Sequence, residues 1–205
     1  MCSFERLATL WQQTRYLDKY LLSGALVECG SWKGGAVGMM ALAHLQGQGL
    51  PESVGAEDGV DTRSSDCVGR CAASRPYRKI HIFDSFQGLP EPDASCDGQR
   101  AIRYSSFKSS GAMASIGKCV GSLEENKNLL ENKIGYPADL LTYHVGWFQD
   151  TIPAAASSIG PIALLRLDGD WYESTRICLE QLYPLVIPGG VVVIDDYGHW
   201  EGCRK

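Results

Sequence analysis

Short unbroken apolar runs alternate along this chain with longer stretches in which apolar residues return every three or four positions. The first kind of pattern predicts buried strands, the second amphipathic helices. Residues 4–22 place Phe4, Leu7, Leu10, Trp11, Leu17 and Leu21 on one helical face, and Ser23-Gly24 stops the helix. Ala25–Cys29 reads as a strand, Gly30-Ser31-Trp32-Lys33-Gly34-Gly35 as a glycine turn, and an Ala/Met/Leu-rich helix runs to about Leu45. Lys79–Phe83 predicts a second strand ending at Asp84. Met113, Ile116, Val120 and Leu123 mark a helix, with a further helical stretch or turn through Leu129 and Leu130. Leu140–His144 is a third strand, followed at the same sheet edge by Gly146-Trp147-Phe148. A short helix over 151–158 carries Pro153 in its first turn. Ile162–Leu167 and Val191–Ile194 are the fourth and fifth strands, separated by a helical pattern and the Pro188-Gly189-Gly190 turn.

Five strands alternating with helices predict an α/β fold: a doubly wound, Rossmann-like parallel sheet covered on both faces. In the order 3-2-1-4-5 the switch point falls between the first and fourth strands, where such sheets bind ligands. Glu28, Asp84, Trp147, Asp168 and Asp195 would face that crevice.

Two apolar runs end in acid, at Asp168 and at Asp195-Asp196. If their strands are parallel neighbours with a right-handed crossover, the three carboxylates converge on one sheet edge. Each close pair repels by about 1 to 4 kcal/mol at an effective dielectric between that of water and about 20. The cluster therefore asks for a proton or a cation, and oxygen ligands alone favour a hard ion such as Mg²⁺. One such Asp is more often a helix cap or strand end than a ligand; two runs ending alike shift the balance. Asp84 ends the second strand, where doubly wound folds hold the ribose of an adenine-containing cofactor. The glycine turn alone says less, because tight strand-to-helix turns need glycine with or without a ligand.

Composition narrows the setting. The 205 residues are enough for one well-buried domain; 44% are apolar, 21% are charged and the net charge is −5. That balance offers no basic footprint for nucleic acid or an anionic membrane, and no apolar run reaches the length of a membrane span. The N-terminal residues lack a signal peptide's pattern, so a cytoplasmic protein is expected. Eight scattered cysteines read as reduced thiols, and Cys67 and Cys71 have no second close pair that would suggest zinc. Residues 46–78, rich in Gly, Ser and charge, read as a mobile insertion. Ser85–Gly111 is turn-rich yet carries Phe86, Ile102, Tyr104 and Phe107, the pattern of a segment that folds over a substrate.

The segments VECGSWKGG, IFDSFQGLP, GWFQDTIP, LRLDGDWYEST and GGVVVIDDYGHWEGCRK, in this order, closely resemble the macrocin O-methyltransferase (TylF-like) family. Those enzymes use S-adenosylmethionine to methylate sugar hydroxyls in natural products. The resemblance covers Phe4 to the last residue, the insertion excepted. It implies a methyltransferase-type sheet and a small-molecule hydroxyl acceptor. Glu28, Gly30, Ser31 and Gly34 would hold the methionine end of the methyl donor and Asp84 its ribose, with Ser85, Phe86, Trp147 and Phe148 flanking the adenine. Asp168, Asp195 and Asp196 match the family's Mg²⁺ ligands, with Asp170 ranked behind them. Asp168 is the first choice for the base that takes the hydroxyl proton; His144 and His199, at strand ends near the crevice, are the others. His44 and His81 read as structural.

The family's chain continues past the segment matching GCRK into a helix and two further strands. On this reading the sheet lacks its last two strands and the fifth is an open edge, which predicts a homo-oligomer. It also raises an alternative, a truncated, non-catalytic module that binds S-adenosylmethionine or a partner subunit. A glycosyltransferase reading leaves the glycine turn and Asp84 without a role, and a phosphatase reading lacks a lysine between its acidic motifs.

Overall fold

The computed structural model describes residues 3–49, 77–105 and 114–205. The elements relevant to the site are α1 (Phe4–Lys19), β1 (Ala25–Cys29), α2 (Gly35–Gly49), β2 (Ile80–Asp84), α3 (Gly98–Ser105) and α4 (Leu123–Lys127). They are followed by β3 (Leu141–Val145), α5 (Phe148–Ile159), β4 (Ile162–Leu167), α6 (Tyr172–Leu182), β5 (Val186–Ile194) and α7 (Glu201–Arg204). The sheet order is β3-β2-β1-β4-β5 and every pairing is parallel, as the alternation of patterns predicts.

Side chains alternate across the strands and so build two cores. Leu26, Ile80, Ile82 and Leu164 face α1 and α2, where Leu10, Leu17, Val37 and Met40 are buried. Val27, Cys29, Leu165 and Leu167 face α5 and α6, against Ile152, Ala155, Cys178 and Leu182. Both cores consist almost wholly of aliphatic side chains, each adding about 1.5 to 3 kcal/mol on burial. A third, smaller cluster of Leu89, Ala101, Trp171, Trp200 and Cys203 ties α3 and α7 to the carboxyl ends of the strands.

Four local readings need correction. Residues 114–121 are not helical: Ile116 N donates to Leu89 O and Leu89 N to Lys118 O, at 2.9 Å each, so this segment pairs with 87–91 as an extended ribbon. Gly117 and Cys119, at φ +71° and +55°, break any helical run, and Val120 is exposed. Met113, Phe107 and nearly all of the 46–78 insertion, with Cys67 and Cys71, lie outside the described residues. Helix α5 starts at Phe148 rather than 151, which puts Pro153 in its interior, where it cannot donate to the Gln149 carbonyl. Pro188-Gly189-Gly190 is a bulge within β5: as β4 advances from Ile162 to Leu164, β5 advances from Val186 to Val191. Helix α3 forms inside the segment read as turn-rich, with Ala101 buried and Tyr104 partly exposed.

Cys29, Cys96, Cys119, Cys178 and Cys203 are free thiols. No helix among the described residues is long and apolar enough to cross a membrane.

Candidate functional site

The turn after β1 is built by contact with its neighbours. Gly30 has φ +90°, and a Cβ there would collide with the Asp168 carbonyl oxygen, so only glycine lets β1 and β4 stay paired to their ends. Asp168 N donates to Cys29 O at 2.8 Å and Gly30 N to Phe83 O at 2.8 Å. Asp84, at the end of β2, braces the turn from the other side. Its Oδ2 accepts from Ser31 N (2.8 Å), Ser31 Oγ (3.2 Å) and Trp32 N (2.9 Å), and its Oδ1 accepts from Phe86 N (2.7 Å). Trp32 and Phe86 hold positive φ values without being glycine, a strain offset by these charge-assisted bonds.

The second half of the site lies where β4 and β5 end. One carboxylate oxygen from each of Asp168, Asp195 and Asp196 falls within 4.8 Å of the others. Asp196 is 6% exposed, and its Oδ2 is buried without a hydrogen-bond partner. Burial, reinforced by the charges of Asp170 and Asp168, pushes the Asp196 carboxyl up to about 9. Asp170 adopts φ +60°, accepts from Trp200 Nε1 at 2.7 Å, and is pushed up to about 7 by burial and by Asp168. Burial also raises Asp195, against the pull of Arg166 and Arg6.

Two arginines face this acid. Arg6, near the start of α1, donates to Asp195 Oδ2 at 2.8 Å. Arg166, inside β4 and 1% exposed, bonds Glu28 Oε1 and Asp168 Oδ2 at 2.8 Å each and lies 3.3 Å from Asp195 Oδ2. Fully buried Glu28 is pushed up to about 7 by desolvation, with Arg166 pulling the other way; its Oε2 accepts from Val37 N in α2 at 3.2 Å.

A cavity of about 320 Å³ joins the two halves. Its lining takes Gly30, Trp32, Asp84 and Ser85 from the ends of β1 and β2, Trp147 and Phe148 from the start of α5, and Asp168, Asp170, Asp195 and Asp196 from beyond β4 and β5. Leu89, Pro90, Tyr104, His199 and Trp200 line it as well.

Several predicted residues sit elsewhere. Glu28 lies beneath the cavity, Ser31 is buried within the turn, and Gly34 packs against Asn126. Phe86 packs against the core on the α1/α2 face. His144 is not on the cavity: its ring stacks on Phe83 at 4.0 Å between centroids, and its Nε2 lies 3.1 Å from His81 Nδ1. His199 does line the cavity, with Arg100 Nη2 3.3 Å from its Nε2. Burial and the Arg100 charge lower its proton affinity.

Sequence reasoning passed over Arg6, Arg166 and Trp200, while Tyr104 was read as part of a segment that folds over a substrate, and it lines the cavity. Arg166 had a signal, a cation inside an otherwise apolar strand. Arg6 had none, since only the chain's path brings it to the cavity.

Fold and cavity together define a Rossmann-like α/β protein of the methyltransferase type. The solved structure of the O-methyltransferase NovP superposes on 98% of the chain, and 69% of its own length, with a TM-score of 0.69 at 28% identity. The family model described as Macrocin-O-methyltransferase (TylF) matches residues 70–205, and the chain belongs to that family.

Among curated relatives, the chain is similar to an 8-demethyl-8-(2,3-dimethoxy-alpha-L-rhamnosyl)-tetracenomycin-C 4'-O-methyltransferase of Streptomyces olivaceus, 33% identical over 183 residues. It is also similar to a demethyldecarbamoylnovobiocin O-methyltransferase of Streptomyces niveus, 31% identical over 208 residues. The matches cover 88% and 100% of this chain and 55% and 64% of those relatives, so the chain spans little more than half the length of the first.

Proposed function

We propose that this chain carries the active site of an O-methyltransferase that moves a methyl group from S-adenosylmethionine to a hydroxyl on a sugar-bearing small molecule, with a divalent cation held by Asp168, Asp195 and Asp196. One observation carries the reading. The three converging carboxylates, with Asp196 Oδ2 buried and unpartnered, open onto the same cavity as the glycine turn. An orphaned buried oxygen beside like charges fits a missing cation better than a structural hydrogen bond. Relatives named for methylating glycosylated natural products support the acceptor class.

The residues divide the work by position. The open backbone around Gly30 lets the donor approach β1, and the Trp147 and Phe148 side chains give its adenine an apolar wall. Asp84 shapes that pocket through the turn and keeps lone-pair capacity on Oδ1 toward a ribose hydroxyl. A divalent cation, when bound, supplies polarisation of the acceptor hydroxyl and fixes its place.

The proton passes to Asp170 rather than to Asp168. Asp168 is engaged by Arg166 and belongs to the cation set, which weakens it as a base, whereas Asp170 lines the cavity with only Oδ1 committed, to Trp200. As the acceptor oxygen bonds to the methyl carbon, the carbon–sulfur bond breaks and the sulfonium becomes a thioether. Alignment of oxygen, carbon and sulfur by the two ends of the cavity supplies much of the acceleration.

Methyl transfer from labelled S-adenosylmethionine to a panel of glycosylated aromatic and macrolide acceptors tests the proposal. Turnover should require Mg²⁺ or Mn²⁺ and stop with EDTA. Asp170→Asn should lower kcat by about 10²-fold or more, while His199→Gln stays within a few-fold; the reverse, a large loss in His199→Gln with Asp170→Asn nearly unaffected, would move the base to His199. Turnover unaffected by chelation would remove the cation from the proposal.

A further inference from the structure

We propose that Arg166 is a positioning residue whose guanidinium holds Asp168 and Asp195 in cation-binding register against the donor turn, through Glu28. The inference rests on the donor and cation sites proposed above and concerns a residue on the wall behind both.

Arg166 lies in the middle of a buried strand, in register with Glu28 on β1 and Val193 on β5. On the same face of β4, Leu164 is fully buried within the apolar core against α1 and α2. An aliphatic side chain at 166 would pack there without the desolvation that a buried arginine and a buried glutamate impose. Stability alone therefore does not account for the pair, and its geometry does.

The planar fork reaches three carboxylates on three strands. Nη1 takes Glu28 Oε1 at 2.8 Å, and Nη2 takes Asp168 Oδ2 at 2.8 Å and lies 3.3 Å from Asp195 Oδ2. Glu28 in turn accepts from Val37 N of α2 at 3.2 Å. A continuous set of charge-assisted bonds thus runs from the helix after the glycine turn to two of the three acids. Asp168 and Asp195 repel each other; a shared guanidinium behind them fixes their separation and leaves the second oxygen of each for a ligand. A lysine ammonium has the same charge but no fork to span three partners at fixed angles.

Two substitutions test the fork, the first at constant charge and the second with the buried pair removed. Arg166→Lys keeps the cation; Glu28→Gln with Arg166→Met removes both members of the buried Glu28–Arg166 pair, so Glu28 is not left as an unpaired buried carboxylate, and Arg6 still faces Asp195. Mn²⁺ binding is read by electron paramagnetic resonance, donor binding by calorimetry with S-adenosylhomocysteine, and folding by thermal melting. Both variants should melt cooperatively and lose about tenfold or more in Mn²⁺ affinity, as loss of a group that orients metal ligands does. S-adenosylhomocysteine affinity should change far less in Arg166→Lys, since Glu28 keeps a cationic partner. If Arg166→Lys does not fold, the paired variant decides.

Mn²⁺ affinity within threefold of wild type in a folded variant would overturn the inference and leave the functional reading standing. A wild-type chain that binds neither Mn²⁺ nor S-adenosylhomocysteine would overturn both.

Discussion

Gly30 and Asp84 show how single residues fix the donor end of the cavity. A Cβ at 30 meets the Asp168 carbonyl and sits on a backbone at φ +90°. Gly30→Ala should therefore cost about 2 to 4 kcal/mol, conformational strain and overpacking together. In a chain of this size that is roughly a 10 °C fall in Tm by calorimetry; a melt within 2 °C of wild type would show that β1 and β4 separate freely. Asp84→Asn keeps the shape but turns a carboxylate that accepts four bonds into an amide that cannot take them all. S-adenosylhomocysteine binding should weaken about tenfold or more, consistent with loss of charged hydrogen bonds, and calorimetry reads it directly. Asp84, Asp168, Asp195 and Asp196 were legible because acid at the end of an apolar run is a local signal. Arg166 was not weighed, because an apolar run containing one cation still reads as a strand. Arg6 meets Asp195 across 189 positions of sequence, and no local pattern carries that information.

Strands were easier to read than the segments between them. Buried parallel strands are continuous apolar runs, so β1 and β4 have the bounds the sequence predicts. The stretch 114–121 failed because Ile116 and Val120 have helical spacing while backbone pairing with Leu89 decides their shape, a case of tertiary context overriding a short period. Between β2 and β3, His81 and His144 make a paired contact that neither strand's pattern foretells. Burial and the facing His144 lower His81 to about 4. Because its folded value lies below the unfolded one near 6.5, the contribution to stability is complete above about pH 6.5 and is lost as pH falls towards 4. The loss should approach about 3 kcal/mol at pH 4, from about 1.4 kcal/mol per unit. Urea unfolding at pH 7 and pH 4.5 should show a steeper loss in wild type than in His81→Leu, the difference cancelling the titrating groups remote from the His81–His144 contact. Parallel slopes in the two proteins would mean that His81 is already charged in the fold.

At the scale of the molecule, the order β3-β2-β1-β4-β5 was deducible from alternation and the right-handed crossover, and it is what makes distant acids neighbours. Two halves of one cavity follow from it: the turn after β1 with Asp84 after β2, and the carboxylates after β4 and β5. Ser85–Gly111 was legible as a segment over the cavity, but not that Leu89 and Tyr104 would meet Trp200 there, because their packing is set by one another. The acidic half is a local cost to the fold. Asp168, Asp170, Asp195 and Asp196 crowd together, with Arg166 and Arg6 as facing cations, and Asp196 Oδ2 has no partner. A cation bound only by the folded chain must therefore raise its stability, by about 2.7 kcal/mol at a hundred times its dissociation constant. Tm should climb with the logarithm of Mg²⁺ concentration once the site begins to fill. Asp196→Asn separates this from general salt screening. Burial and the neighbouring acids already push the Asp196 carboxyl up to about 9, so an amide leaves the metal-free charge nearly unchanged; the variant should melt close to the metal-free wild type, and its Tm should no longer respond to Mg²⁺ beyond the response to matched NaCl. A wild-type Tm that follows ionic strength alone, with Mg²⁺ and NaCl equivalent, would show the cluster to be stabilised by screening and would leave Asp196 without a ligand.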